Sequence, residues 1–174
     1  MMDLRGYGDS GRPTGGDAHG SYTKRVMAMD ALAVMAHHGH QRFRVLAHDR
    51  GARVAHRLAA DHAGAVQQLM LLDIAPTLAM YENTRQDFAR AYWHWFFLIQ
   101  PPPLPEALIE SDPARYLRSV MGKRHAGLAA FAPQALAEYE RCIRLPGSAH
   151  AIAEDYRASA GPDLDQDRAD RNAG

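Results

Sequence analysis

The strongest constraint on this chain lies at residues 43–60, where a short β-rich run, FRVL, passes through AHDRG directly into a helical sequence. A chain turns from strand to helix in so few residues only if the residue at the bend takes a strained conformation and its neighbours are small. Ala47 and Gly51 stand two before and two after Asp49. Asp49 therefore sits at the tip of a nucleophile elbow. A carboxylate there, in place of a hydroxyl, suits displacement of a leaving group from saturated carbon, with an alkyl ester left on the enzyme.

The residues after Asp49 narrow the substrate. Arg50 and Arg53 are three apart at the start of the helix, so both guanidinium groups can lie on the nucleophile's side. Two arginines at this spacing ordinarily belong to a solvated face; beside an elbow nucleophile they point to an anionic substrate. Guanidinium forks match carboxylate geometry, and the positive end of the helix adds to them. A small carboxylate with a leaving group on its α-carbon fits.

Spacing predicts a helix over 22–38, with Val26, Met29, Ala33, Met35 and Ala36 tending to one side. A strand follows over 43–47, a helix over 51–62, and a largely apolar strand over 66–74, as in a parallel sheet covered on both faces. Beyond Pro76 no further strand is convincing. Residues 83–99, 105–110, 113–121, 133–143 and 147–159 read as helices punctuated by Pro and Gly, and the charged segment 163–171 as one more. This divides the chain into part of an α/β core (1–76), a helical cap (77–160) that closes over the elbow, and a return segment (161–174).

The 20 basic and 20 acidic side chains cancel, which argues against nucleic acid or an anionic membrane surface as partner. No run is long and apolar enough for a membrane helix and the start lacks a signal-peptide core, so the expectation is cytoplasmic. The lone Cys142 cannot form an internal disulfide and reads as a buried helix residue. His37, His38 and His40 cluster near a helix end, but no third and fourth ligand follow at a recognisable spacing. They read as solvated or capping histidines, and neither metal nor cofactor is expected. His48 is expected to pack near the elbow, and His56 and His62 show no partner in the sequence.

AHDRGARVAHRLAADH, followed by LLDIAPT, MYENT, AYWHWFFLIQPPPLPE and EDYRA, and preceded by the loop DLRGYGDSGRP, resembles the haloacetate (fluoroacetate) dehalogenases of the α/β-hydrolase superfamily. The resemblance implies an α/β architecture: part of an α/β-hydrolase fold, with central parallel strands and a nucleophile elbow, plus a helical cap. It implies Asp49 as nucleophile, Arg50 and Arg53 as the clamp on the substrate carboxylate, and His94, Trp95 and Tyr156 as the halide cradle. Asp73, after the strand 69–72, resembles the acid that orients a catalytic histidine. Chemistry agrees, since imidazole N–H, indole N–H and phenol O–H are donors that can be aimed at a departing halide. An aromatic run such as 92–97 is more often plain core; the adjoining histidine and the family likeness outweigh that here.

The reaction so implied is hydrolysis of a 2-haloacetate to glycolate and halide through an aspartyl ester. The family pattern also implies strands and an oxyanion loop before the DLRG segment, and strands with the general-base histidine after the cap. The expectation is therefore an internal piece of a larger enzyme, inactive in turnover by itself. Two alternatives stand beside it. An epoxide hydrolase also uses an elbow Asp but needs two cap tyrosines and has no reason for the arginine pair; a non-catalytic remnant would need neither. An incomplete sheet exposes strand edges and apolar faces, which favours association, a homodimer in its simplest form.

Overall fold

The computed structural model describes residues 1–122 and 126–174, which form two compact units. One comprises residues 15–86 and 158–174, the other residues 1–14 and 87–157.

In the first unit a 3-10 turn (Asp17–Tyr22) leads into α1 (Lys24–His37), β1 (Phe43–His48), α2 (Asp49–Asp61), β2 (Val66–Leu72) and α3 (Thr77–Glu82). Thr23 caps α1 by accepting from the Val26 amide at 3.3 Å, and the Asp163 carboxylate accepts from the Lys24 amide at 2.9 Å. Gly39, at φ 79°, ends the helix in the left-handed conformation that glycine adopts without penalty. The buried side of α1 carries Met27 and Ala28, whereas Met29 and Ala33 face out. The expected stripe was displaced because apolar residues occupy nearly every position from 26 to 36, so spacing alone selects no face.

β1 and β2 pair in parallel, with His48 opposite Leu72, and α2 packs on both strands and on α1. Residues 43, 45 and 47 are half-buried while 44, 46 and 48 are exposed, the two-residue alternation of a strand covered on one face. The expectation that 66–74 is covered on both faces does not hold in this chain. Among the described residues the sheet has two strands, so Met70 is left 60% exposed and Leu46 68% exposed.

In the second unit come α4 (Gln86–Ala91, whose first residue belongs to the first unit), α5 (Trp93–Leu98), α6 (Leu104–Ser111), α7 (Pro113–Met121), a 3-10 turn (Gly127–Ala130), α8 (Pro133–Ile143) and α9 (Ser148–Ala160) up to Arg157. The helix expected over 83–99 is two helices broken at Tyr92, whose φ of −112° and ψ of 34° leave the helical region, and α3 occupies a stretch to which the sequence reading gave no helix of its own. Cys142 is half-buried on α8, not buried, with its Sγ 3.6 Å from Glu138. The buried apolar residues of this unit include Trp95, Leu98, Ile109 and Ile143 with Ala149, Ala151 and Ala153 of α9.

The loop 3–12 belongs to the same unit. Its Tyr7 donates to the fully buried Asp155 at 2.6 Å, and Arg12 donates to Ser148 at 3.0 Å. Gly8 is required there, at φ 53°, since a Cβ would lie 2.0 Å from Asp3 Oδ2. The last residues of α9 and the charged α10 (Pro162–Ala173) return to the first unit. Lys24 pairs with Asp163, and Arg171 with Glu82. No described helix is long and apolar enough to cross a membrane.

Candidate functional site

Asp49 occupies the junction of β1 and α2 with φ of 47°, in the left-handed region that costs a non-glycine residue about 1–2 kcal/mol. The bend expected from AHDRG is therefore present. Asp73 does the same one strand over, at φ 55°, immediately after Leu72. Because His48 pairs with Leu72, the two aspartates leave the carboxyl ends of neighbouring parallel strands at the same level, both exposed. Open parallel sheets place their ligands at that end. The small residue at position 51 has another origin than crowding within this chain, since a Cβ built on Gly51 meets nothing within 4 Å. His48 is exposed beside the elbow, not packed, as are His37, His38 and His40 around the end of α1.

The two arginines are not on a solvated face. Arg50 is 8% and Arg53 5% exposed. Arg50 Nη2 donates to Ser159 Oγ at 2.7 Å. Arg53 Nη1 donates to Thr77 Oγ1 at 2.9 Å and to the Ala75 carbonyl at 3.1 Å, and its Nη2 lies 3.1 Å from Met80 Sδ. Thr77, Met80 and Tyr81 are at i, i+3 and i+4 of α3, one face of that helix. The Tyr81 hydroxyl is buried, and burial pushes its phenol up to about 12 against the opposing pull of Arg50 and Arg53. It stays protonated through the working range. Sequence reasoning quoted MYENT without giving Tyr81 a place; its spacing from Thr77 was the available signal.

A third arginine continues the stripe. Arg57, at i+7 from Arg50, is 5% exposed and held by carboxylates: Asp170, Asp61 at 2.5 Å and Asp167 at 3.7 Å. Asp61 is shared with Arg25 at 2.8 Å, and that hydrogen bond first, then Arg57 against the opposing effect of burial, holds its carboxyl below the usual range.

In the other unit the three residues assigned to the halide do come together. The Tyr156 ring centroid lies 6.0 Å from that of His94 and 6.1 Å from that of Trp95, both nearly edge-on. Trp95 and Tyr156 are buried and His94 half-buried. Arg157 fixes the helix that carries Tyr156. It donates to Glu106 at 2.6 and 3.2 Å, to Glu154 at 2.8 Å and to the Gln100 carbonyl at 2.7 Å, joining α9 to α6 and to the end of the α5 segment. Burial would raise Glu106, but its bonds to Arg157 win and hold it low. In EDYRA the residues flanking Tyr156 are thus structural, which the motif alone did not disclose. Tyr116 lies edge-on to Trp93 and tilted against Phe97; burial, then Tyr156, hold its phenol well above the usual range.

A sequence profile described as the alpha/beta hydrolase fold matches residues 1–159. The chain is 43% identical over 169 residues to the fluoroacetate dehalogenase of a Burkholderia sp, which covers 97% of this chain and 56% of that protein. It is 32% identical over 166 residues to the soluble epoxide hydrolase of Corynebacterium sp. (strain C12), with 94% of this chain and 56% of that protein covered. Among solved structures, ALR0039 of Nostoc sp PCC 7120, described only as an alpha/beta hydrolase, superposes with a TM-score of 0.94 at 57% identity, over 97% of this chain and 58% of that one. The chain spans little more than half the length of each.

Proposed function

From the premise that this chain belongs to the α/β-hydrolase family, we propose that it serves the hydrolytic dehalogenation of a 2-haloacetate to glycolate and halide. The observation that carries this reading is the buried pair Arg50 and Arg53 directly after a strained Asp49. The similarity to a fluoroacetate dehalogenase supports it. In the proposed reaction an Asp49 carboxylate oxygen attacks the α-carbon, the C–O bond forms as the carbon–halogen bond breaks, and the halide leaves with the bonding pair. Arg50 and Arg53 hold the substrate carboxylate. His94, Trp95 and Tyr156 are the proposed donors to the halide, whose charge is fully developed only as the bond breaks. Water then cleaves the ester, releasing glycolate and restoring Asp49. Asp73 is proposed to orient the histidine that activates this water, a role assigned to none of the ten histidines here.

A general base is worth about 10²–10⁴-fold. The purified 174-residue chain is thus expected to release at most about one halide per molecule from bromoacetate or fluoroacetate and to keep an ester adduct visible by intact mass, lost in Asp49→Asn. Sustained release, or release by the Asn variant, would overturn the assignment.

A second reading rests on one observation. Epoxide ring opening calls for two cap phenols, and Tyr116 and Tyr156 lie in the same unit, Tyr116 against Trp93 and Tyr156 against the neighbouring His94. The 32% identical epoxide hydrolase supports it as well. Adduct formation from an epoxide in preference to a haloacetate, insensitive to Arg53→Ala, would favour it.

A further inference from the structure

We propose that Arg157 is a positioning residue that holds the Tyr156 phenol in register with His94 and Trp95, an inference that rests on the halide-donor reading above. Those three side chains come from two helices, α5 and α9. Arg157, the residue after Tyr156, reaches across 57 residues of sequence to the Gln100 carbonyl, which accepts from Nε at 3.0 Å and from Nη2 at 2.7 Å. Gln100 lies just beyond the end of α5, the helix whose first turn carries His94 and Trp95. The same guanidinium donates to both oxygens of Glu106 in α6, at 2.6 and 3.2 Å, and Arg157 and Glu106 are both buried. All of these residues belong to one unit.

α5 has six residues, too few for a helix to hold itself in place, since isolated helices shorter than about 12–15 residues are marginal in water. Its position is therefore set by what it is tied to. A guanidinium suits this task because its donors form a rigid planar fork, so bonds to the Gln100 carbonyl and to the Glu106 carboxylate fix α9 against two segments at once. A cation at the end of a helix also complements the carbonyls left there. The residue before Tyr156 is anchored as well, but elsewhere: the fully buried Asp155 accepts from Tyr7 at 2.6 Å, a tie to the loop 3–12. Arg157 thus links the segment bearing two of the proposed donors to the position next to the third. Donors fixed before the charge develops stabilise it without reorganisation, and a donor set divided between two helices is fixed only if the helices are. The edge-on contacts of the Tyr156 ring with His94 and Trp95, at 6.0 and 6.1 Å between centroids, are the register so held.

The test uses the full chain with Arg157→Lys, which keeps the charge and loses the fork, and Tyr156→Phe, which removes one proposed donor. The readouts are the rate of first halide release from fluoroacetate and from bromoacetate, and chloride binding followed by quenching of tryptophan fluorescence. Fluoride is the poorer leaving group and depends more on its donors. Arg157→Lys is therefore expected to slow release from fluoroacetate about tenfold, the low end for one hydrogen bond to a charged group, and release from bromoacetate by less. Chloride binding should weaken by a similar factor, and Arg157→Lys should have a smaller further effect in Tyr156→Phe. A purely structural loss reduces the folded fraction and lowers the amplitude with both substrates alike, leaving the ratio of the two rates unchanged. That result, or chloride affinity equal to the parent's, would overturn the positioning role. Should Arg157→Lys fail to fold, Glu106→Gln, which spares the Gln100 contact and weakens the tie to α6, is expected to shift the ratio in the same direction, and an unchanged ratio there would overturn the proposal equally. If Tyr156→Phe itself leaves both the ratio and chloride binding as in the parent, the halide-donor reading is what fails, and the proposal falls with it.

Discussion

The two ends of α2 hold the same side chain against different segments of the chain. At its start Arg50 donates to Ser159, and Arg53 to Thr77 and the Ala75 carbonyl beside Met80. At its end Arg57 is surrounded by Asp61, Asp167 and Asp170. All three are equally buried and lie on one helix face, so neither burial nor spacing separates them. The partners do. Paired with carboxylates, Arg57 is a clasp between α2 and α10; Arg50 and Arg53 are the two arginines proposed to hold the substrate carboxylate.

The contrast breaks most sharply at Arg57. Replacing it by Met leaves three carboxylates facing one another, and unfolding in urea is expected to show a loss of about 3 kcal/mol, the low end for breaking a buried ion pair, because Asp170 is half exposed. Acetate binding should survive wherever the chain remains folded. Arg53→Ala should do the reverse. It removes a charge-assisted arm worth about 1.5–3 kcal/mol of carboxylate binding, read by titration, while costing less stability than Arg57→Met. Equal loss of stability in the two variants would erase the distinction.

The smallest effect is in acid. Asp61 titrates below its ordinary value of 3.8 in the folded chain, first because of Arg25. A depressed folded value means that its contribution is present above the unfolded value and is lost as pH falls through the folded one. Stability should therefore begin to fall as pH drops towards 3.8 and go on falling below it, and Arg25→Ala should shrink that fall. Arg53→Ala should leave it unchanged.

The elbow was legible because it is local. Ala47, Asp49 and Gly51 lie within five residues, and the left-handed φ at Asp49 follows from the demand that a strand become a helix there. The pair Arg50 and Arg53 was legible for the same reason, as was the end of β2 at Asp73. His94, Trp95 and Tyr156 were read as a halide cradle from resemblance, and the ring contacts with Tyr156 join residues some 60 positions apart that no spacing relates. The break of the expected 83–99 helix at Tyr92 was hidden, because each half has the composition of a helix and the bend is one residue's dihedral angles.

Sequence by itself determined the α/β hydrolase fold, the strained carboxylate between β1 and α2, and the two arginines after it, since all of these rest on patterns within one strand–turn–helix unit. Tertiary structure alone decided what each buried charge faces. Ser159, Thr77 and the three aspartates around Arg57 come from segments up to 113 residues away, and only the folded chain sets a hydroxyl beside one guanidinium and a carboxylate beside the next. The cost of desolvating a charge depends on what faces it, and that neighbour is absent from the helix's own sequence.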